Sequence, residues 1–296
     1  MPSTLEIRRR IRSVKNTAQI TKAMQMVASS KMRRAQERVQ QSRPYAEQLR
    51  GLVSRLASVT GDTGAGTEIE LLRQRPVHHI GFVLITPDRG LSGALPSNIN
   101  RKAMSTALEQ QNKLAQQGQR PDIDFVAVGR KGRDFILRSQ LHMLAEFTNY
   151  GDKPTLSDAS AIAQVATDAF LKGEVDVVYL VYAKFVNTVT QQPVAVQLLP
   201  VEPPTDEGNE RERVEYIYEP DPASIYKALI PRYVDVLVYQ AMLEAVASEQ
   251  SARMVAMKNA TDNATELVTD LTLTYNKARQ AAITTQILEV VSGANA

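Results

Sequence analysis

The chain has no cysteine and only three histidines among its 296 residues. Without cysteine there is no disulfide, thiolate zinc site or thiol nucleophile, and the composition suits a reducing compartment. Two of the histidines are the adjacent His78 and His79, which read as the polar edge of a strand rather than as ligands, so no metal site is expected. Long apolar runs are missing as well: none reaches the length of about 18 residues that a membrane span needs. The opening MPSTLEIRRRIRS places charges with no apolar stretch behind them, so no secretory leader is expected. Nor is there a Ser-His-Asp ordering, a paired-carboxylate motif or a metal-ligand spacing, and an active site in this chain alone is not expected.

The chain does have length and apolar content for a core, 43% of its residues being hydrophobic. It also has an uneven distribution of charge beneath a net +3. Residues 1–43 carry eleven Lys or Arg against Glu6 and Glu37, a balance of +9. Residues 200–222 carry eight acids against Arg211 and Arg213, a balance of −6. A basic end and an acidic waist point to different partners.

Ser3 and Glu6 form a capping-box pattern, so a helix is expected to start there. A heptad then runs through Ile7, Val14, Thr21, Ala28, Ala35, Ser42, Leu49 and Leu56 on one register. Ile11, Ala18, Gln25, Met32, Val39, Ala46 and Val53 make the other. Twelve of these fifteen positions are apolar, which identifies a coiled-coil stripe. Pro44 is expected to kink or interrupt the helix, and Gly61, Gly64 and Gly66 to end it. At the other end Asp221 reads as an N-cap and Pro222 as a first-turn proline. The helix that follows has a seam expected at Leu267, Leu271, Thr274, Ala278, Ala281, Thr285 and Leu288. Some seventy residues at about 1.5 Å each reach roughly 100 Å, more than a compact domain of this size requires.

Between the helices the pattern changes to strand, turn and helix. HIGFVLITP, DIDFVAV and DVVYLVYAKF read as buried strands, each with a helical stretch nearby. FVNTVTQQPVAVQLLPV reads as a hairpin with Gln191, Gln192 and Pro193 near its turn, and EPPTDEGNERE as a solvated acidic loop. The expected fold is α/β: a long antiparallel two-helix coiled coil from the N- and C-terminal helices plus a small Rossmann-like α/β domain. Its parts are residues 1–60 (first coiled-coil helix), 75–205 (α/β domain), 206–221 (acidic linker and foot) and 222–296 (second coiled-coil helix).

DRGLSGAL and GRKG place glycines after strands, where backbone amides can approach phosphate. Neither spells a dinucleotide-binding or P-loop fingerprint. Glycines in tight turns account for them, with Asp88 and Arg89 pairing or capping within the turn. Three readings stay open for the basic first helix, with Arg8, Arg9, Arg10, Arg12, Lys15, Lys31, Arg33, Arg34 and Arg38. It is a nucleic-acid-binding surface, a solvated face of a coiled coil, or a surface that docks into an acidic protein collar. A zipper-type DNA binder differs in that its basic segment lacks a seam. Of the Met cluster, Met32 lies on the seam, whereas Met24 and Met26 lie off it and suit a partner that repacks.

Several long motifs in order resemble one family, the gamma subunit or central rotor shaft of F-type ATP synthases. They are ITKAMQMVASSKMRRAQ, SRPYAE, DRGLSGAL, FVNT, QLLP, YEPDP, SEQSARMVAMKNATDN and YNKARQAAITTQILEVVSGANA, and they cover nearly the whole chain. The family's C-terminal signature is matched by Ile283, Thr284, Glu289, Gly293 and Ala294, with Gln286 where Glu is usual. Pro87 replaces the usual small hydroxyl residue, and the chloroplast-type insert with its cysteine pair is absent.

The resemblance implies a non-catalytic subunit of an ATP-synthesising complex that needs no cofactor of its own. Its partners would be the alpha and beta subunits, the epsilon subunit and the membrane c-ring, with neither nucleic acid nor a membrane span of its own. It would act at the cytoplasmic face of a bacterial plasma membrane. Carried over by motif, Met24 and Arg253 would face the acidic loops of beta, Arg279 and Gln280 would catch polar beta residues higher up, and Tyr216, Tyr218 and Glu219 would form the foot on the c-ring. The alternative function is a basic coiled-coil nucleic-acid-binding protein, and a Rossmann-type enzyme comes third.

Overall fold

The computed structural model describes residues 4–63, 69–116, 118–203 and 218–294. The expected cap at Ser3, most of the acidic loop and Tyr216 lie outside the described residues. Helix α1 runs over Thr4–Thr63 and helix α5 over Pro222–Ala294. Between them come β1 (His79–Ile85), α2 (Leu95–Ala115), β2 (Asp122–Val128), α3 (Arg130–Arg138), β3 (His142–Phe147), α4 (Leu156–Lys172), β4 (Val177–Phe185) and β5 (Gln191–Leu199). The chain divides into two compact units: Met1–Ser30 with Arg253–Ala296, and Lys31–Ala252. Both long helices contribute to each.

The unit of residues 31–252 is built on a five-stranded sheet of order β3-β2-β1-β4-β5. The first four strands are parallel and β5 returns antiparallel to β4. Parallel strands linked by crossover helices are covered on both faces, so they read as unbroken apolar runs rather than alternations. Strand β1 shows the consequence: Val83 and Ile85 point into one core, Ile80, Phe82 and Leu84 into the other. Helices α2 and α3 close the second core, where Phe82 stacks between Phe125 and Tyr179 with ring centroids 5.5 and 5.6 Å away. The first core is closed by α4 together with stretches of α1 and α5, Leu49, Val53 and Leu56 packing with Tyr226, Ile230 and Val234. Further along, Ala35 and Val39 of α1 pack with Leu243, Val246 and Ala247 of α5, an antiparallel pairing.

The heptad reading of α1 holds along its length, since none of the fifteen seam positions is exposed. Pro44 sits inside a helix that continues to Thr63, and its ring lies on the exposed face. The C-terminal seam needs correction. The covered positions are Met257, Thr261, Ala264, Val268, Leu271, Tyr275 and Ala278, whereas Leu267 and Thr274 are exposed, and so are Ala281, Thr285 and Leu288. Apolar identity put Leu267 on the stripe, but helix geometry puts its neighbour Val268 there.

Strand β3 was not expected. HMLAEF is an edge strand with half-exposed residues, so it lacks the apolar run that marks the central strands. In the hairpin the turn is Val186–Thr190, and Gln191 to Pro193 begin β5. Asp88 does not pair with Arg89: its carboxylate accepts from the backbone N–H of Arg130 and of Asn149, both at 3.0 Å, tying α3 and the loop after β3 together. Asp221 caps α5 as expected, accepting from Ser224 N at 2.9 Å and Ser224 Oγ at 2.7 Å, and Pro222 opens the helix.

Gly129 shows how tightly the β2–α3 turn is built. Its φ is +95°, and a Cβ there would meet the Thr86 carbonyl oxygen at 1.9 Å. Gly118 also has positive φ, +79°, but faces open space. Gly118→Ala is therefore expected to cost about 1–2 kcal/mol for the left-handed backbone alone. Gly129→Ala carries the clash as well and is expected to cost about 3 kcal/mol or more. Urea unfolding of the two variants checks this; equal midpoints would contradict it.

Candidate functional site

In the unit formed by residues 4–30 and 253–294, the seam of α1 and α5 mixes larger side chains, among them Ile7, Ile11, Met257 and Leu271, with small and hydroxyl ones. Of the latter, Ala18, Thr21 and Ala28 belong to α1, and Thr261, Ala264 and Ala278 to α5. Small residues let two helix backbones approach closely. The register is fixed by a polar contact: Thr21 Oγ1 lies 2.7 Å from Thr261 Oγ1. Thr261 Oγ1 is also 2.8 Å from the Met257 carbonyl, and Thr21 Oγ1 3.1 Å from that of Ala18. Each hydroxyl has one proton, so one of the two gives up its own carbonyl to bond across the seam.

The outward surface of this unit has two characters. Arg8, Arg9, Arg10, Arg12 and Lys15 are all exposed, while Ile7 beside them is buried. Further along α1, Ile20, Met26 and Val27 are each more than half exposed, an apolar strip beside the half-buried Met24.

The end of α5 is barer still. Every side chain from Arg279 to Gly293 is exposed. Ile283, Ile287, Leu288, Val290 and Val291 are among them, with Val290 at 72%. The only charges on this stretch are Arg279 and Glu289. Its hydroxyls turn inward: Thr284 and Thr285 each donate at 3.0 Å, to the Gln280 and Ala281 carbonyls, and Ser292 donates to that of Leu288 at 2.7 Å. A hydroxyl whose proton is used by the backbone four residues earlier presents its carbon skeleton outward. The surface is consequently more apolar than its composition indicates, and a contiguous apolar patch of this kind marks an interaction site.

The other expected contact residues fall in several places. Met24 and Arg253 are both half-buried in the helical unit, whereas Arg279 and Gln280 are exposed at the base of the bare stretch. In the sheet-bearing unit, Tyr218 packs against the first core and Glu219 is exposed. Two residues on, the Ser224 hydroxyl holds the Asp221 carboxyl below the usual carboxylate range. This interaction stabilises the helix start at pH above that range, and the contribution is lost as pH falls below it through the lowered value. Met26 is exposed, in keeping with its place off the seam, whereas Ile20 and Val27 beside it are surface that the sequence reading missed, although both also lie off the heptad.

The glycine-bearing turns do not leave an anion site at α3. Gly132 N donates to Thr86 Oγ1 at 2.7 Å and Arg130 N to Asp88, so the helix's first amides are occupied by the protein's own oxygens. Gly132 is needed for packing, because a Cβ would lie 2.8 Å from the same hydroxyl oxygen.

A family model described as ATP synthase matches residues 3–296. An ATP synthase gamma chain of Roseiflexus castenholzii is 49% identical over 100% of this chain and 99% of its own length. One of Dehalococcoides mccartyi is 49% identical over 98% of this chain and 97% of its own. Among solved structures, the central stalk and c-ring assembly of Tetrahymena thermophila mitochondrial ATP synthase contains a chain 26% identical. It covers 81% of this chain and 99% of that one, with a TM-score of 0.56. A chain in the Euglena gracilis mitochondrial ATP synthase, 18% identical, shares the fold with a TM-score of 0.64 over 99% of this chain and 93% of its own.

The threonine pair supplies a test of the seam. Thr21→Val and Thr261→Val are each expected to cost about 1 kcal/mol, because each leaves a covered hydroxyl short of a partner. The double variant should cost less than the sum by about 0.5 kcal/mol or more. Strict additivity in thermal unfolding would show that the two hydroxyls do not interact.

Proposed function

Because the chain belongs to the ATP synthase gamma-chain family, we propose that it is the central rotor shaft of an F-type ATP synthase. It couples ion-driven rotation of the membrane c-ring to ATP synthesis and hydrolysis in a ring of three alpha and three beta subunits. The observation that carries the mechanical part is the bare end of α5, a helix with an apolar surface that none of the described residues of its own unit covers. Such a surface is stable in water only when enclosed, and a ring of alpha and beta subunits encloses it.

In this reading the subunit makes and breaks no bond. It works by orientation: a face of the shaft that contacts one beta conformation better than another shifts that subunit's equilibrium by the difference in contact free energy. Successive orientations then carry the three beta sites through states of different nucleotide affinity. Met24 and Arg253 meet the acidic loops of beta, and the exposed Arg279 and Gln280 engage polar beta residues. The sheet-bearing unit meets epsilon, and the foot, with Tyr216, Tyr218 and Glu219, rests on the c-ring. No described helix is long and apolar enough to cross a membrane, and the subunit is held at the cytoplasmic face through the c-ring.

The nucleic-acid reading loses its particular support. The basic stretch of α1 is a paired helix with Ile7 buried and Ile11 and Val14 partly covered, whereas a DNA-reading basic region must leave its helix free for the groove.

Arg279→Glu and Arg253→Glu are expected to lower coupled activity of the reconstituted complex about ten-fold, as loss of a charge pair at an interface does. Circular dichroism of the free subunit should be unchanged. Coupled activity at the parent level in both variants would remove those two residues from the interface. Met24→Lys is expected to add an ion pair with a beta acid and to reduce ions pumped per ATP, measured in vesicles; full pumping would reject that contact.

A further inference from the structure

On α5, Ser248, Gln250 and Ser251 are all fully buried, at 0–1% exposure, in a helix segment otherwise packed with Ala, Val and Leu. Their bonds reach strand β4 and two loops. Ser248 Oγ donates to the Ala183 carbonyl at 2.8 Å and Ser251 Oγ to that of Thr188 at 2.6 Å, on β4 and the turn after it. Gln250 Nε2 donates to Asp152 Oδ1 at 2.9 Å, in the loop between β3 and α4. The same aspartate holds α1: Lys31 Nζ donates to Asp152 Oδ2 at 2.5 Å, and Arg38 Nη1 to its backbone carbonyl at 2.9 Å.

Strands β3 and β4 run parallel, so both loops leave the same, carboxyl edge of the sheet. They grip the two long helices from that edge with directional bonds. Apolar packing is nondirectional and tolerates small rolls; a hydrogen bond does not. A roll of roughly 20° moves an atom about 5–6 Å from the helix axis by roughly 2 Å, enough to break such a bond.

We propose that these two loops form a torsional clasp, with Asp152 as the residue to which both helices are tied. Rotation of the sheet-bearing unit is handed to α1 and α5 through the clasp rather than through apolar contact alone. The inference rests on the rotor reading and adds the joint by which torque leaves the sheet. Buried polar residues at these positions then have a reason: Ala or Val would pack as well but would leave the helices free to roll.

The absence of cysteine allows a single label. Leu108→Cys, exposed on α2, attaches a bead to the sheet-bearing unit in complexes with alpha and beta fixed to glass. The angular spread of the bead is recorded while the enzyme waits at low MgATP. Asp152→Ala is expected to raise the angular variance about two-fold or more, as loss of a local restraint does, with ATP hydrolysis close to the parent. Glu37→Ala, which breaks the exposed Arg33–Glu37 pair, should leave the variance unchanged. Should Asp152→Ala not fold, Asp152→Asn, which keeps the shape and removes the charge, must show a rise of the same sign. Unchanged variance in the folded aspartate variant overturns the clasp. A parent complex that assembles and hydrolyses ATP without turning the bead rejects the rotor reading instead.

Discussion

The narrow stripe that α1 and α5 bury against each other governs the rest of the molecule. A coiled-coil seam, apolar at most positions with Ala and Thr interspersed, occupies one face of each helix, so most of the circumference is left for something else. Within the unit of residues 31–252 that something is the sheet, whose core takes in Leu49, Val53, Leu56, Tyr226 and Ile230. Within the unit of residues 4–30 and 253–294 there is no third element. The outward side chains there are cations, an apolar strip around Ile20 and Met26, and the bare end of α5. A chain that spends some thirty residues on a thin paired helix, and more on a single one, commits surface to a partner.

Two kinds of attachment divide the work. The paired helices touch through a narrow, mostly apolar stripe and, at Thr21 and Thr261, through a hydroxyl pair, a contact suited to a slender element with a fixed register. The sheet and its loops hold the same helices through a deep apolar core and also through hydrogen bonds to Ser248, Gln250, Ser251 and Lys31. Nondirectional burial supplies most of the stability. The directional bonds fix the rotational setting, the quantity that matters for a subunit acting by orientation.

Much of this was legible in the sequence because its signals are periodic. The heptad of α1 is long enough that no single misfit obscures it, and β1, β2 and β4 are buried on both faces and so read as unbroken apolar runs. The register of the second seam was not legible: Leu267 and Val268 are equally apolar, and only the phase of the packed helix says which faces inward. Strand β3 was hidden by its edge position. The expected contact residues followed from motif resemblance, with only Met24 read also from its place off the heptad, since exposure at a residue such as Arg279 has no sequence signature. The end of α5 carries a signal of its own in the residues, where apolar side chains continue past Ala278, the last covered position among those described.

The central claim, that the chain is a shaft requiring a ring around it, is tested most directly by mixing it with alpha and beta subunits from the same source. The mixture is passed through size exclusion with light scattering, and MgATP hydrolysis is assayed across the peak. The account predicts co-elution at the mass of three alpha, three beta and one copy of this chain, with ATPase activity in that peak. A folded chain that elutes alone beside assembly-competent alpha and beta would contradict it.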